Sequence, residues 1–301
     1  MKKLCGLIML AGAGSACQQQ SPSTKAVSMT AASPTVAQVA PKPKEPVVAV
    51  SEELAPAPVA GAGPASSPVL SNVLQRYDLS ALWQGKYDDD VKEMGPMDGF
   101  FGRDYRRIAF VFTKVYRDSL QPTVYRVEGK NRFQKTVSPF TGTITIQTVA
   151  HPKASLTMEE AGLLDVESLR SVFSAKAKFE FREQPQGNTA GIFTGAGYLD
   201  FYIDKENKLH SAISMMEASP AMLAKGAGVL YTGQWVSDNT GASKPLLLSG
   251  NVFITAPATL TRFAIGDRDP SFNPKYAKLG WNDYWANDEW WADSPKPSLS
   301  M

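Results

Sequence analysis

Residues 140–149 read FTGTITIQTV, and they alternate between two kinds of side chain. The more apolar face carries Phe140, Gly142, Ile144, Ile146 and Thr148. The other face carries threonine and glutamine. A period of two with β-branched residues is typical of a half-buried β-strand. Two more strands are predicted just upstream, at residues 105–116 and 123–128, so this part of the chain indicates a mainly β fold.

A short motif recurs along the chain: a large apolar residue, one small or polar residue, and then glycine. It occurs at residues 83–85, 140–142, 193–195, 231–233 and 248–250. Glycine inside a strand marks a bend, a bulge or a close approach of two backbones. A small closed barrel needs strongly bent strands. The motif therefore favours a single antiparallel barrel, with a β-sandwich as the alternative.

The predicted strand at residues 108–115 is apolar on both faces. One face holds Ile108, Phe110 and Phe112, and the other holds Ala109, Val111 and Val115. A strand of this kind is covered on both sides. In a barrel, one face would line the interior and the other would pack under a helix or a terminal segment.

The remaining elements follow from the same patterns. Further strands are predicted at residues 82–87, 177–182, 191–197 (kinked), 199–204, 209–216, 229–236 and 245–254. Short helices are predicted at residues 71–77, 155–174 and 273–280, and a loop at residues 94–103. Short connections make neighbouring strands antiparallel, in a domain of about nine strands. This architecture, over roughly residues 82–254, resembles the calycin barrels of lipocalins, although the lipocalin Gly-x-Trp motif is not matched. The resemblance implies a barrel that binds a ligand.

The amino terminus has the pattern of an export signal. Residues 1–3 are basic at positions 2 and 3, residues 4–13 are apolar, and Gly14, Ser15 and Ala16 directly precede Cys17. This pattern is typical of a secretory signal peptide and is too short for a permanent membrane span. The site resembles a bacterial lipoprotein lipobox, with Gly14 where leucine is usual. The resemblance implies that Cys17 is acylated; the alternative is ordinary signal cleavage that leaves Cys17 as a free thiol.

Three regions are predicted along the chain of 301 residues. Residues 1–16 are a signal peptide, residues 17–68 are a disordered linker rich in proline, alanine and serine, and residues 69–301 are the barrel domain. The linker composition cannot bury enough apolar surface to fold alone. The predicted location is the bacterial cell envelope, anchored by lipid at the outer membrane; a periplasmic or secreted soluble protein is the alternative.

Charge and motifs limit the possible chemistry. The net charge of +2 does not indicate a nucleic-acid partner. The two histidines, His151 and His210, have no partner at metal-ligand spacing, and no cofactor or metal is predicted. The sequence contains none of the Gly-x-Ser-x-Gly, Ser-x-x-Lys or His-Glu-x-x-His motifs. We therefore expect a protein that is not an enzyme, with a carboxylate-based hydrolase as a remaining alternative.

Two groups of residues are candidates for binding. Basic residues are dense over residues 103–135, and Arg106, Arg107 and Arg126 could form an anion-binding rim or a solvated strand edge. Four of the six tryptophans, Trp281, Trp285, Trp290 and Trp291, lie near the carboxyl terminus among Asp283, Asp288 and Glu289. Such a segment either packs on the barrel or forms a recognition surface. We predict that it packs, with its carboxylates facing the basic residues.

Three functions remain open at this stage. The first is an envelope lipoprotein whose barrel binds a small hydrophobic or anionic ligand, or another envelope protein, without catalysis. The second is a structural component that docks through the tryptophan-rich segment. The third is the hydrolase. A cavity in the barrel favours the first function, and exposed tail tryptophans favour the second.

Overall fold

The computed structural model describes residues 68–86, 95–152, 169–185, 190–213, 221–255, 260–262, 271–284, 286 and 288–293. Predictions for Cys17, Trp285, the linker up to residue 67 and most of the helix at residues 155–174 lie outside these ranges. None of the helices within these ranges is long and apolar enough to cross a membrane.

Nine of the described strands form one sheet, which is a closed antiparallel barrel with one additional strand. The strands are β1 (Met97–Phe101), β2 (Arg106–Arg117), β3 (Val124–Phe133), β4 (Thr136–Ala150), β5 (Leu169–Glu183), β6 (Gly191–Asp204), β7 (Leu209–Ser211), β8 (Val229–Ser237) and β9 (Ser243–Ser249). Strand β1 pairs with both β2 and β9, and β5 pairs with β6, so eight of the described strands close a ring. The short strand β7 pairs with the end of β6 beyond β8. The predicted mainly β barrel is confirmed, and the sandwich alternative is wrong because the ring is closed.

Glycines at interior positions let neighbouring backbones approach closely. A Cβ added to Gly195 would lie 2.1 Å from the carbonyl oxygen of Thr232, and one added to Gly233 would lie 2.0 Å from that of Thr194. Gly195 and Gly233 face each other across β6 and β8. A Cβ on Gly142 would meet the backbone of β5 in the same way. A Cβ on Gly250 would lie 2.7 Å from the Ala227 carbonyl oxygen. The predicted close backbone approach is thus confirmed for four of the five motifs, those at residues 140–142, 193–195, 231–233 and 248–250.

Two β-bulges change which residues face the interior. In β2 the register shifts between Phe112 and Lys114, and Val115 is therefore buried in the interior core. In β4 the register shifts between Ile146 and Thr148, so Val149 is buried and Thr148 is exposed. The predicted faces are right before each bulge and wrong after it, because a bulge inserts one extra residue into one strand.

Two short helices close one end of the barrel. Helix α1 (Pro68–Arg76) buries Leu70, Val73 and Leu74 at helical spacing, and helix α2 (Ser80–Trp83) buries Leu82 and Trp83. The predicted helix at residues 71–77 is confirmed in type, although it starts at Pro68, a residue favoured in the first helical turn. The predicted strand at residues 82–87 is wrong over its described part. Gly85, with φ +84°, instead follows α2 in the left-handed conformation that ends many helices.

Other corrections concern segment type and length. The predicted loop at residues 94–103 contains β1, the strand that closes the barrel; its Gly99 lies against the Leu247 carbonyl of β9. Residues 169–174 of the predicted helix belong to β5. The two strands predicted at residues 191–204 are the single strand β6. The strand predicted at residues 209–216 is described up to residue 213; this part contains β7 and an isolated bridge from Ile213 to Ala227. Strand β9 ends at Ser249 and is followed by helix α3 (Val252–Thr255), whose Val252 packs outside the barrel.

The carboxyl-terminal segment forms an outer layer on the barrel. It contains a pair of short strands, β10 (Leu260–Arg262) and β11 (Ser271–Phe272), then helix α4 (Pro274–Ala277) and a 3-10 helix (Trp281–Asp283). The predicted helix start is confirmed, since the Asn273 side chain accepts a hydrogen bond from the Lys275 amide at 3.0 Å. A second apolar core, separate from the interior, lies between this layer and the outer wall of the barrel. It contains the outward-facing Phe100 of β1, Leu230 of β8 and Leu247 of β9, together with Ala224, Val252 and Trp281.

Candidate functional site

Trp281 packs the outer layer against the wall of the barrel. Only 1% of its surface is exposed, and its indole Nε1 donates to the backbone oxygen of Tyr105 at 3.0 Å. Its ring lies 5.2 Å from that of Phe100 and stacks on Tyr284 at 6.2 Å. Trp281, one of the tryptophans predicted as binding candidates, is therefore buried in the contact between the tail and the barrel.

Arg107 and Asp98 form a buried ion pair beneath the same layer. The Arg107 Nε lies 2.6 Å from the Asp98 carboxylate, and each side chain is 7% exposed. The guanidinium also donates to the backbone oxygens of Asp283 and Tyr284. Burial raises the pKa of Asp98, although the charge of Arg107 opposes that effect. Arg107 thus connects the barrel wall to the tail backbone.

The tail carboxylates meet the basic strand residues, as predicted. Arg132 pairs with Asp288, and its guanidinium lies 5.0 Å from the centre of the Trp290 ring. Lys130 donates to the Trp291 backbone oxygen at 2.7 Å. Both tryptophans are half-buried. Packing of the tail on the barrel is therefore confirmed for its described residues.

A groove of about 610 Å³ lies between the tail and the outer wall of the barrel. It brings together Arg106, Arg107 and Trp290 from the predicted candidates. Arg106 is paired with Asp104 at 2.6 Å and is exposed. Arg126 lies at the other end of β3, does not line the groove, and pairs with Asp118 at 3.0 Å. The predicted candidates thus do not form one site.

Aromatic rings fill the middle of the barrel. Phe112 packs against Phe140, Phe181 and Tyr231 with ring centres 5.2–5.7 Å apart. Trp83 lies 6.0 Å from Tyr231 at the helix-closed end. Ligand space at this barrel therefore has to be sought at the opposite end, which we call the mouth.

The mouth holds a cavity of about 260 Å³. Seven of the strands that form the ring contribute its main walls, which consist of Phe101, Ile108, Asn131, Phe133, Glu183, Phe193, Trp235 and Lys244. The volume is slightly below the range of drug-sized pockets, which starts near 300 Å³. The cavity is thus suited to a small ligand.

Glu183 lies in the wall of the cavity and is almost fully buried. Its carboxylate accepts a hydrogen bond from the Asn131 amide at 2.9 Å and another from the Trp235 indole at 2.8 Å. Burial raises the pKa of Glu183, and the two donors oppose the rise. The carboxylate is therefore held in a fixed position beside an aromatic wall.

Three rings surround the ammonium group of Lys244, and we call them the ring cage: Phe101, Phe133 and Trp235. The Lys244 Nζ lies 5.0 Å from the centre of the Phe101 ring, 5.7 Å from Phe133 and 5.6 Å from Trp235. All three distances fall within the range of cation–π attraction, about 6 Å. The cage therefore already shows that it accommodates a cation.

Sequence reasoning missed the mouth residues. One signal was present, since Trp235 and Lys244 are cross-strand partners on either side of the short β8–β9 turn. A second was the charged Glu183, which follows the buried series Ala177, Phe179 and Phe181 at the same period of two. Only the pairing register of the barrel strands shows that these residues lie at one site.

Neither the grouping of possible metal ligands nor similarity to known proteins identifies a further site in the described residues. Within the described ranges, no three His, Cys, Asp or Glu side chains are grouped so that they could hold a metal ion. Comparison with known proteins finds no matching family model, no significantly similar curated protein and no significantly similar solved structure.

Proposed function

We propose that this chain is a lipid-anchored protein of the bacterial cell envelope whose barrel binds a small ligand at its mouth without catalysing a reaction. The observation that carries the proposal is the mouth cavity, which combines apolar walls with the fixed carboxylate of Glu183. Ligand sites are usually of this kind, mostly apolar with a few convergent polar groups.

The composition of the mouth supports binding over hydrolysis. Glu183 is the only acidic side chain among the described residues that line the cavity. Hydrolysis by paired carboxylates uses two such groups about 5–10 Å apart. The aromatic packing directly beneath the mouth supports a ligand position at the rim of the barrel rather than in its middle.

Binding is tested on the full chain labelled with 5-fluorotryptophan, with the Trp235 resonance identified from a Trp235→Phe variant. The panel contains short alcohols, carboxylates, phosphate esters and ammonium salts. At least one class should shift the Trp235 signal saturably, and Phe133→Ala should weaken that binding about tenfold. Tyr116→Ala, an exposed aromatic outside the mouth, is the control. The proposal is wrong if no class shifts the signal or if both variants behave alike.

The membrane anchor is tested separately. The motif before Cys17 supports acylation, and attachment of more than one acyl chain gives stable membrane association. Cys17→Ser should release the protein from the membrane fraction of bacteria that express it, whereas Cys5→Ser in the apolar leader should not. Unchanged membrane association of the Cys17 variant would contradict the anchor and leave the mouth unaffected.

Docking of an envelope protein through the tail is the second candidate. It is favoured by the half-buried pair Trp290 and Trp291, whose rings meet edge to face at 5.6 Å. Partial exposure of two indoles is typical of an interface hot spot. Cross-linking of the protein in intact envelopes should lose a specific partner in Trp291→Ala if this candidate is right, and should be unchanged if the tail only packs on the barrel.

A further inference from the structure

We propose that the ring cage binds an organic ammonium ion, which takes the place of the Lys244 ammonium. This inference rests on the proposed function and specifies the class of ligand. Its starting point is geometric: three aromatic faces converge on one cation at 5.0–5.7 Å. Such a cage is selective for ammonium groups, because each ring presents its negative face to the cation.

Lys244 is an occupant that a ligand can replace. Its side chain is exposed at the rim, and among the described residues no carboxylate pairs with it. Holding a lysine side chain in one conformation costs conformational entropy, since its stem is long and flexible. A ligand that brings its own ammonium group can therefore take the cage while Lys244 swings into solvent.

The charges at the mouth favour a cation over an anion. Glu183 and Lys244 are the two charged residues among the described residues that line the cavity. Once Lys244 has left, the carboxylate remains beside the cage and attracts a positive ligand. The hydrogen bond from the Trp235 indole to Glu183 also makes that ring more electron-rich, because hydrogen-bonded groups polarise one another.

The same two charges and the three rings disfavour an anionic ligand. It would pair with Lys244 but would lie against the fixed carboxylate of Glu183. It would also gain nothing from the faces of the three rings, which repel negative charge. The two ligand classes therefore respond in opposite directions to removal of Lys244.

The test compares choline, 3,3-dimethylbutan-1-ol and 3,3-dimethylbutanoate, which share a branched head and differ in charge. Binding to the full chain is followed by the Trp235 resonance and by calorimetry. Choline should bind about tenfold more tightly than the neutral alcohol. Lys244→Ala should strengthen choline binding about fivefold to tenfold, whereas Lys178→Ala, an exposed lysine on the outer face of β5, should leave it unchanged.

A second variant separates charge from packing. Glu183→Gln keeps the shape of the side chain, and it should weaken choline binding about fivefold with little effect on the alcohol. Equal affinities for choline and the alcohol, or weaker choline binding in Lys244→Ala, overturn the ammonium inference while a mouth ligand remains. The inference is also overturned if 3,3-dimethylbutanoate binds more tightly than choline and if that binding is lost in Lys244→Ala. If none of these probes and no member of the broader panel reaches the mouth, the proposed function itself fails.

Discussion

Replacing Trp281 with alanine tests whether the outer layer contributes to the stability of the barrel. The side chain is 1% exposed and packs against the rings of Phe100, Phe272 and Tyr284. An indole buries about 200 Å², and at about 25 cal/mol per Å² that burial is worth up to about 5 kcal/mol. Measured losses for such truncations in cores are about 3–5 kcal/mol. The hydrogen bond to the Tyr105 backbone is lost as well.

We therefore expect Trp281→Ala to lower the free energy of unfolding by about 4 kcal/mol. For a domain of this size, that loss lowers Tm by on the order of 10 °C. Guanidinium denaturation followed by far-ultraviolet circular dichroism measures it. The matched control is Trp290→Ala, which removes a half-buried indole over Arg132 and should cost about 1 kcal/mol.

Two outcomes would refute this reasoning. A loss below about 1 kcal/mol for Trp281→Ala would show that the outer core contributes little beyond surface contact. Equal losses for both tryptophans would show that burial does not distinguish them. Quenching of tail fluorescence by iodide gives an independent check, since a buried Trp281 is protected from the ion.

Two further predictions concern buried acids. Arg107→Met should destabilise the fold by about 3–5 kcal/mol because it leaves Asp98 buried without its partner, and adding Asp98→Asn should recover part of that loss in the same denaturation assay. Burial raises the pKa of Asp200 from 3.8 to about 6, against the hydrogen bonds from Ser174 and the backbone. The folded state thus holds this proton more tightly than the unfolded chain, so its stabilisation is complete below about pH 4 and is lost as the pH rises through about 6, by on the order of 3 kcal/mol. Asp200→Asn should flatten the stability profile over that window, and an unchanged slope would contradict the assignment.

Alternation of side chains predicts the barrel strands well until a bulge intervenes. The series through Phe140, Ile144 and Ile146 identifies the interior face of β4 correctly, but Val149 takes the interior position expected of Thr148. The same happens in β2 at Val115. A bulge depends on pairing with the neighbouring strand, so a single strand's sequence does not reveal it.

The closing strand and the helix at Trp83 could not be recognised for a different reason. Strand β1 has only five residues and contains Gly99, so its sequence is typical of a loop. Its glycine is required by the Leu247 backbone of β9, which is far away in sequence. The adjacent residues Leu82 and Trp83 are both buried, and a helix allows this at the end of a barrel, whereas a strand would point them to opposite faces.

The two candidate regions differ in how far sequence could predict them. The tail contact followed from opposite charge in two clusters, and Arg132 does pair with Asp288. The mouth depends on strand register. Phe101, Phe133, Glu183 and Lys244 each occupy the terminal interior position of a different strand, all at one end of the barrel. Trp235 precedes Ser237, the last interior residue of β8, at the same end.

That placement explains why the mouth combines rings with charge. Interior positions in the middle of each strand must be apolar or glycine, since no water reaches them to solvate a polar group. At the open end Lys244 reaches solvent, and the buried carboxylate of Glu183 is accommodated because Asn131 and Trp235 donate hydrogen bonds to it. Glu183 follows Phe179 and Phe181 on the interior face of β5, and Lys244 precedes Leu246 and Leu248 on that of β9. A charged residue that continues a buried series at the end of a barrel strand therefore indicates a mouth site, and here two such residues share the wall formed by Trp235.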